Sequence, residues 1–308
     1  MLSRPGLHRI NPALLRARHT ETPLRSEAST AMTYRAIVVH FDPSAAAERR
    51  LGAAVRLARA YDAQLLGLYS VAEPQITPFT ATVVPGAQDV MRDEYDSERI
   101  CEERFRRACA DAGVARVQWR SPAGDPIEAA AAIARRADLT VLGQPGTETE
   151  TGGHAGRLAH GVLMASGRPV FFVPDATAVA TIGESVLIAW NDTRESARAI
   201  SDAMPLLTAA RRVEVVAVTG ARPDTLPERA GDTALAEYLA GHGIGARVQR
   251  IAGADPDAGE LILSHAADVG ADLIVMGGYG RGRLTEMVWG GVTRTMLEKM
   301  TVPVLMAH

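Results

Sequence analysis

The chain has 308 residues, a net charge of −3 at neutral pH, 47% hydrophobic and 22% charged residues. That length suits two ordinary domains, each with its own core. The charge excludes the basic footprint of a nucleic-acid binder, and no apolar stretch reaches the length of a membrane-spanning helix. The only cysteines, Cys101 and Cys109, lie eight residues apart on one expected helix, a poor placement for a bridge between them. They read as free thiols of a reducing compartment.

In chain order, residues 1–33 carry Arg4, Arg9, Arg16, Arg18 and Arg25 among Pro, Ser and Thr, without a hydrophobic period. The segment reads as a flexible tail or as an extension upstream of a start at Met32. An organelle transit peptide is the weaker alternative, and a secretory signal would need an apolar core. From residue 34 the periodicity alternates between strand and helix. Expected strands are 35–41, 64–71, 115–120, 139–142 and 169–173, with helices at 45–61, 88–112, 126–136 and 155–166. Residues 72–88, rich in Pro and Thr, form an irregular insertion, and 175–183 form a linker. The remainder repeats the order: strands 185–190, 213–219, 246–251, 273–276 and 302–307, with helices at 194–208, 228–242, 257–269 and 292–300. Asp255 or Asp257 would cap the helix at 257. Regular strand–helix alternation implies a parallel, doubly wound α/β sheet with right-handed crossovers.

The two halves are copies. At one offset of 134 residues Gly143 falls on Gly277, Gly146 on Gly280, Gly156 on Gly290 and Pro169 on Pro303. The strands 138–142 and 272–276 coincide at that offset. Gly124-Asp125-Pro126 echoes Ala254-Asp255-Pro256, and 37–42 echoes 186–191. Four landmarks in one order mark a tandem duplication, 34–174 and 184–308.

Chemistry concentrates at Gly277-Gly278-Tyr279-Gly280, followed by Gly290-Gly291, a Gly-x2-Gly-x9-Gly pattern between a buried strand and a helix. Glycines let an anion approach the backbone closely, and the N–H groups of the next helix point at it. In a doubly wound sheet the segments after the first and fourth strands meet at the switch point. These are Asp42-Pro43-Ser44 with 143–156, and Asn191-Asp192-Thr193 with 277–291.

On these residues, with the closing Arg168-Pro169-Val170 and Val302-Pro303-Val304, the chain resembles the universal stress protein family, as a tandem member with two domains. The resemblance covers nearly everything except the tail. It implies two five-stranded, Rossmann-like, adenine nucleotide alpha-hydrolase-like domains. It further implies a cytoplasmic stress-response regulator binding ATP, with or without Mg2+. Carried onto the second domain, its nucleotide-binding positions are Asn191, Thr193, Val218, Met276, Gly277, Gly280, Gly290, Gly291 and Val292, with Arg281 and Arg283 beside the phosphates. Asn191 stands where nucleotide-binding members have an acidic residue, and Gly291 where they have Ser or Thr. Losing a hydroxyl to a charged acceptor costs roughly 1–3 kcal/mol. In the first domain Asp42 keeps the acid, but Glu148 and Glu150 would repel a phosphate, Pro145 lacks an N–H, and Arg157 stands at the Ser/Thr position. That site reads as degenerate. The resemblance also implies an internal pseudo-dimer through the closing strands, with a homodimer and an unknown protein partner left open.

The alternative is a stress-response scaffold whose glycine loops are inherited turns. No P-loop, triad or metal-spaced cluster is present. Catalysis would amount at most to slow ATP hydrolysis, and no general base can be named. His40 reads as a strand-end core residue, His265, Arg294 and His308 as surface, and Trp190, Met276 and Trp289 as packing.

Overall fold

The computed structural model describes residues 33–70, 87–145, 153–176, 179–219, 230–253, 258–279 and 290–308, with backbone only at 87–91 and 230. The tail 1–32, most of the insertion at 72–88, Gly146, Glu148, Glu150, Asp255, Asp257, Gly280, Arg281, Arg283 and Trp289 lie outside the described residues.

The first half runs β1 (Ala36–His40), α1 (Ala46–Ala60), β2 (Gln64–Leu68), α2 (Ala87–Asp111), β3 (Val117–Arg120), α3 (Pro126–Ala134), β4 (Leu139–Gly143), α4 (His154–Ser166) and β5 (Val170–Val173). The second half runs β6 (Ser185–Ala189), α5 (Arg194–Ala209), β7 (Arg212–Thr219), α6 (Ala230–Gly241), β8 (Ala246–Ala252), α7 (Ala258–Asp268), β9 (Leu273–Gly277), α8 (Gly291–Lys299) and β10 (Val304–Ala307). All strands of the described residues form one sheet of order β3-β2-β1-β4-β5-β10-β9-β6-β7-β8. Within each half the pairing is parallel, and the halves join where β5 and β10 run antiparallel, Leu305 opposite Phe171. An edge strand left open in either half is covered by its counterpart.

Local sequence explains the start of each repeat. Asp138 accepts from the backbone N–H of Arg35 at 2.7 Å and of Ala36 at 3.0 Å. Its copy Asp272 accepts from Glu184 at 3.1 Å and Ser185 at 2.9 Å. Each aspartate thus ties the first strand of its half to the fourth. The near-continuous apolar runs of β1, β4, β5, β6, β9 and β10 are buried on both faces, as parallel strands require. α1, α2, α5 and α6 enclose one core around Leu51, Phe105, Ile200 and Leu239. α3, α4, α7 and α8 enclose the other around Leu158, Leu163, Ile262 and Met296. Cys101 and Cys109 are both buried and free within the first core.

Two histidines depart from expectation. His265 is buried at 8% exposure, because α7 turns it onto β7, where Nε2 sits 2.9 Å from Glu214 Oε1. His308 is half-buried, its Nδ1 3.2 Å from the Gly278 carbonyl. Arg294 is half-exposed and pairs with Glu298 one turn on.

Candidate functional site

β6 lies between β7 and β9, so strand order reverses at its carboxyl end. Ala189 is in register with Met276, which sends 190–193 and 277–279 out of adjacent strands into one crevice. Asp192 takes φ +57 and Tyr279 φ +58, a left-handed conformation that non-glycine residues hold only where the surroundings enforce it. Thr193 then caps α5: its Oγ1 accepts from Ser196 N–H at 3.4 Å and Ser196 Oγ accepts from Thr193 N–H at 3.1 Å. The Thr193 hydroxyl donates to Asn191 Oδ1 at 2.8 Å. That bond orients the amide, whose NH2 remains a donor.

Gly277 owes its identity to a helix. A Cβ there would sit 2.6 Å from Ser196 N and 2.8 Å from Glu195 Cβ, so the first turn of α5 rests directly on the strand. Gly290 and Gly291 are different. Gly290 has φ −60 and ψ 148, which any residue adopts, and a Cβ on either glycine would meet nothing within 4 Å. Among the described residues, neither backbone conformation nor a neighbour calls for glycine at that end of α8. No side chain of the described residues caps α8, which leaves its first N–H groups without a side-chain partner there, the arrangement that suits an anion. Thr293, buried in the first turn of α8, accepts from Tyr279 N–H at 3.4 Å. The two ends of the glycine segment are thereby held together.

The remaining residues play smaller parts. Met276 is 5% exposed and its side chain belongs to the core beneath α8, as does that of the half-buried Val292. Both offer the crevice backbone groups only. Val218 is half-buried at the end of β7, near where a Cβ on Gly253 would fall. Trp190 packs against the other core. Among the described residues no group of His, Cys, Asp or Glu could hold a metal ion, and no helix is long and apolar enough to cross a membrane. A concavity of about 260 Å³ over β1, β2 and β3, floored by Ala36, Val38 and Leu66, lies toward the amino ends of those strands, away from this crevice.

Sequence reading missed three groups near the sites. Tyr279 reaches His160 of α4. Gln144, just after β4, donates to the Glu298 carbonyl at the end of α8 at 2.9 Å. Arg50, which sequence reading did not single out, is buried. Its signal was available: Arg50 aligns with Ala199, an apolar-stripe position.

A tandem, doubly wound α/β protein with an uncapped, glycine-lined helix terminus at its switch point is the class that fold and site define. Sequence comparison narrows it. The profile of the Universal stress protein family matches residues 33–174 and 184–308, and the chain belongs to that family. A universal stress protein of Mycobacterium tuberculosis is 27% identical over 198 residues, 59% of this chain and 66% of that protein. The match therefore spans just under two thirds of the relative's length. A universal stress protein from Archaeoglobus fulgidus superposes with a TM-score of 0.70 at 18% identity, covering 88% of this chain and 97% of its own. One described as putative from Pseudomonas aeruginosa superposes at 0.55 and 17% identity, covering 89% and 93%. At those identities the likeness speaks to the fold.

Proposed function

We propose that the second half binds an adenine nucleotide, ATP with or without Mg2+, and that the protein is a cytoplasmic stress-response regulator read out by a protein partner. One observation carries this reading. Gly290 and Gly291 stand at the start of α8, where among the described residues no side chain caps the helix and no neighbour lies within 4 Å of where their side chains would be. Phosphates would take the N–H groups of that helix start. Asn191, held by Thr193 at the end of β6, would offer its amide NH2 to a ribose hydroxyl. Gly280, Arg281 and Arg283 remain the expected phosphate-side partners by sequence.

The test begins with protein purified without added nucleotide. It is denatured, the released small molecules are identified by chromatography, and the native protein is titrated with Mg-ATP by calorimetry. Retained ATP, or micromolar binding lost in Gly290→Val, is the expected result. No retained ligand and no heat up to millimolar ATP would sink it. The second reading, a scaffold without ligand, is favoured by the neutral Asn191 at the acidic position. It predicts that Gly290→Val leaves every interaction of the protein unchanged.

A further inference from the structure

The first half has the same switch point, with β1 between β2 and β4, but its crevice is filled from within. Arg50 on α1 is 6% exposed. Its Nε donates to the His40 carbonyl at 3.1 Å, and its Nη2 lies 2.8 Å from Asp42 Oδ2. Nη2 is poorly directed for a hydrogen bond to that oxygen, so the contact is ionic. A Cβ on Gly143 would collide with Nη1. One guanidinium therefore bridges the carboxyl ends of β1 and β4, the place where ligands enter a doubly wound sheet. Arg50 aligns with Ala199 of the second half, which carries no group that could reach so far.

Asp42 is fully engaged. Its Oδ1 accepts from Ser44 N–H at 2.9 Å and from the Ser44 hydroxyl. His40 Nδ1 lies 3.6 Å from Oδ2. Burial pushes the Asp42 carboxyl up, but Arg50, His40 and the Ser44 hydrogen bonds outweigh it and hold it below its usual value. Arg49 and the half-buried Asp175 add their charges to the same cluster. His154, the first residue of α4, shares the Ser70 carbonyl with His40 at 3.2 and 2.7 Å.

We propose that Arg50 is an internal plug that closes the Asp42 end of the first half's nucleoside crevice, so that the chain takes one nucleotide instead of two. The excluded ligand is a ribonucleoside or its phosphates. Its vicinal hydroxyls would need the Asp42 carboxylate that Arg50 holds, and two neutral donors would have to displace a buried cation. This inference rests on the nucleotide reading of the second half, and its test separates the two.

Calorimetry with adenosine and with Mg-ATP is run on four proteins: wild type, Gly290→Val, Arg50→Ala/Gly290→Val, and the latter with Asp42→Ala. Folding is checked by circular dichroism. Gly290→Val is expected to be silent, Arg50→Ala to create a site in that background, and Asp42→Ala to abolish it. A folded Arg50→Ala/Gly290→Val protein that binds neither ligand overturns the plug. So does residual binding in Gly290→Val that depends on Asp42, because the first half would then be open with Arg50 in place. If Arg50→Ala does not fold, Arg50→Gln replaces it. If neither folds, wild-type stoichiometry decides: one nucleotide per chain, insensitive to Asp42→Ala, supports the plug and two overturn it. A wild type that binds nothing defeats the nucleotide reading alone when Arg50→Ala gains adenosine binding, and defeats both proposals when it does not.

Discussion

The phenol of Tyr279, at the start of the second half's glycine segment, meets Nδ1 of His160 on α4 of the first half, with the rings edge to face at 5.1 Å. Around them, His308 packs edge to face against Tyr279 at 6.0 Å between ring centroids, and a Cβ on Gly278 would touch Leu163. Burial, then the neighbouring His308, holds the His160 ring below its ordinary pKa, and burial pushes the Tyr279 phenol up. At neutral pH His160 Nδ1 accordingly accepts from the phenol. The same α4 begins at the first half's crevice, so one helix touches both sites.

This contact should be measurable as coupling. Tyr279→Phe removes a half-buried, hydrogen-bonded hydroxyl and is expected to cost about 1 kcal/mol. His160→Leu should cost a similar amount. The double variant should lose less than the two separately, by about 0.5 kcal/mol or more. Urea unfolding of the four proteins measures the difference. Strict additivity would show that the two side chains are neighbours without energetic consequence.

At the start of α8, stability and binding should separate. Gly290→Ala fills open space and changes one residue at a helix cap, so stability should move by at most about 1 kcal/mol. Nucleotide affinity should fall by about tenfold or more, since the added methyl and any larger group occupy the anion's approach. Gly291→Ser restores a hydroxyl at the first helical position and is expected to tighten ATP binding by roughly tenfold through a charge-assisted hydrogen bond. Titration calorimetry alongside thermal melts reads both quantities.

The fold was legible because burial on both faces leaves long apolar strands and because the duplication repeats every landmark. Asn191, Thr193 and Gly277 were legible as neighbours because strand order alone brings the ends of β6 and β9 together. What local sequence could not show was which glycine serves which purpose. Gly277 is explained by a long-range approach of α5, whereas no neighbour among the described residues explains Gly290 and Gly291. For Arg50 the helix's own sequence was silent, and the only signal was the apolar Ala199 at the aligned position of the second half. His265 was misplaced for a related reason: its partner, Glu214, is 51 residues away.

Acid sensitivity should divide into two windows. His40 is buried and its pKa is lowered to about 4, chiefly by burial and then by Arg50. Between about 4 and 6.5 the unfolded chain holds a proton on this ring that the folded chain refuses, so stability falls as pH falls through that range, by roughly 3 kcal/mol. His40→Gln should flatten the slope there. Asp42, lowered in the folded state, contributes stability present above its unfolded pKa and lost as pH falls through its folded value, below about 4. Chemical denaturation at a series of pH values separates them. An unchanged slope between pH 4 and 6.5 in His40→Gln would refute the assignment.

Glu214 and His265 make a pair with side-chain exposures of 10% and 9% in the second core; by strand register Glu214 sits beside Leu187 where the first half has Leu66 beside Val38. Removing one partner should be asymmetric. His265→Leu leaves a buried carboxylate and is expected to cost about 3–5 kcal/mol. Glu214→Leu leaves a buried imidazole short of a hydrogen-bond partner and should cost about 1–3 kcal/mol. The double variant Glu214→Leu/His265→Leu replaces both polar groups with apolar ones, as the first half has done at position 66, and should be close to wild type or more stable. Equilibrium unfolding in urea gives all four values. A double variant as unstable as His265→Leu alone would show that the pair stabilises the second half in its own right, through bonds that apolar packing does not replace.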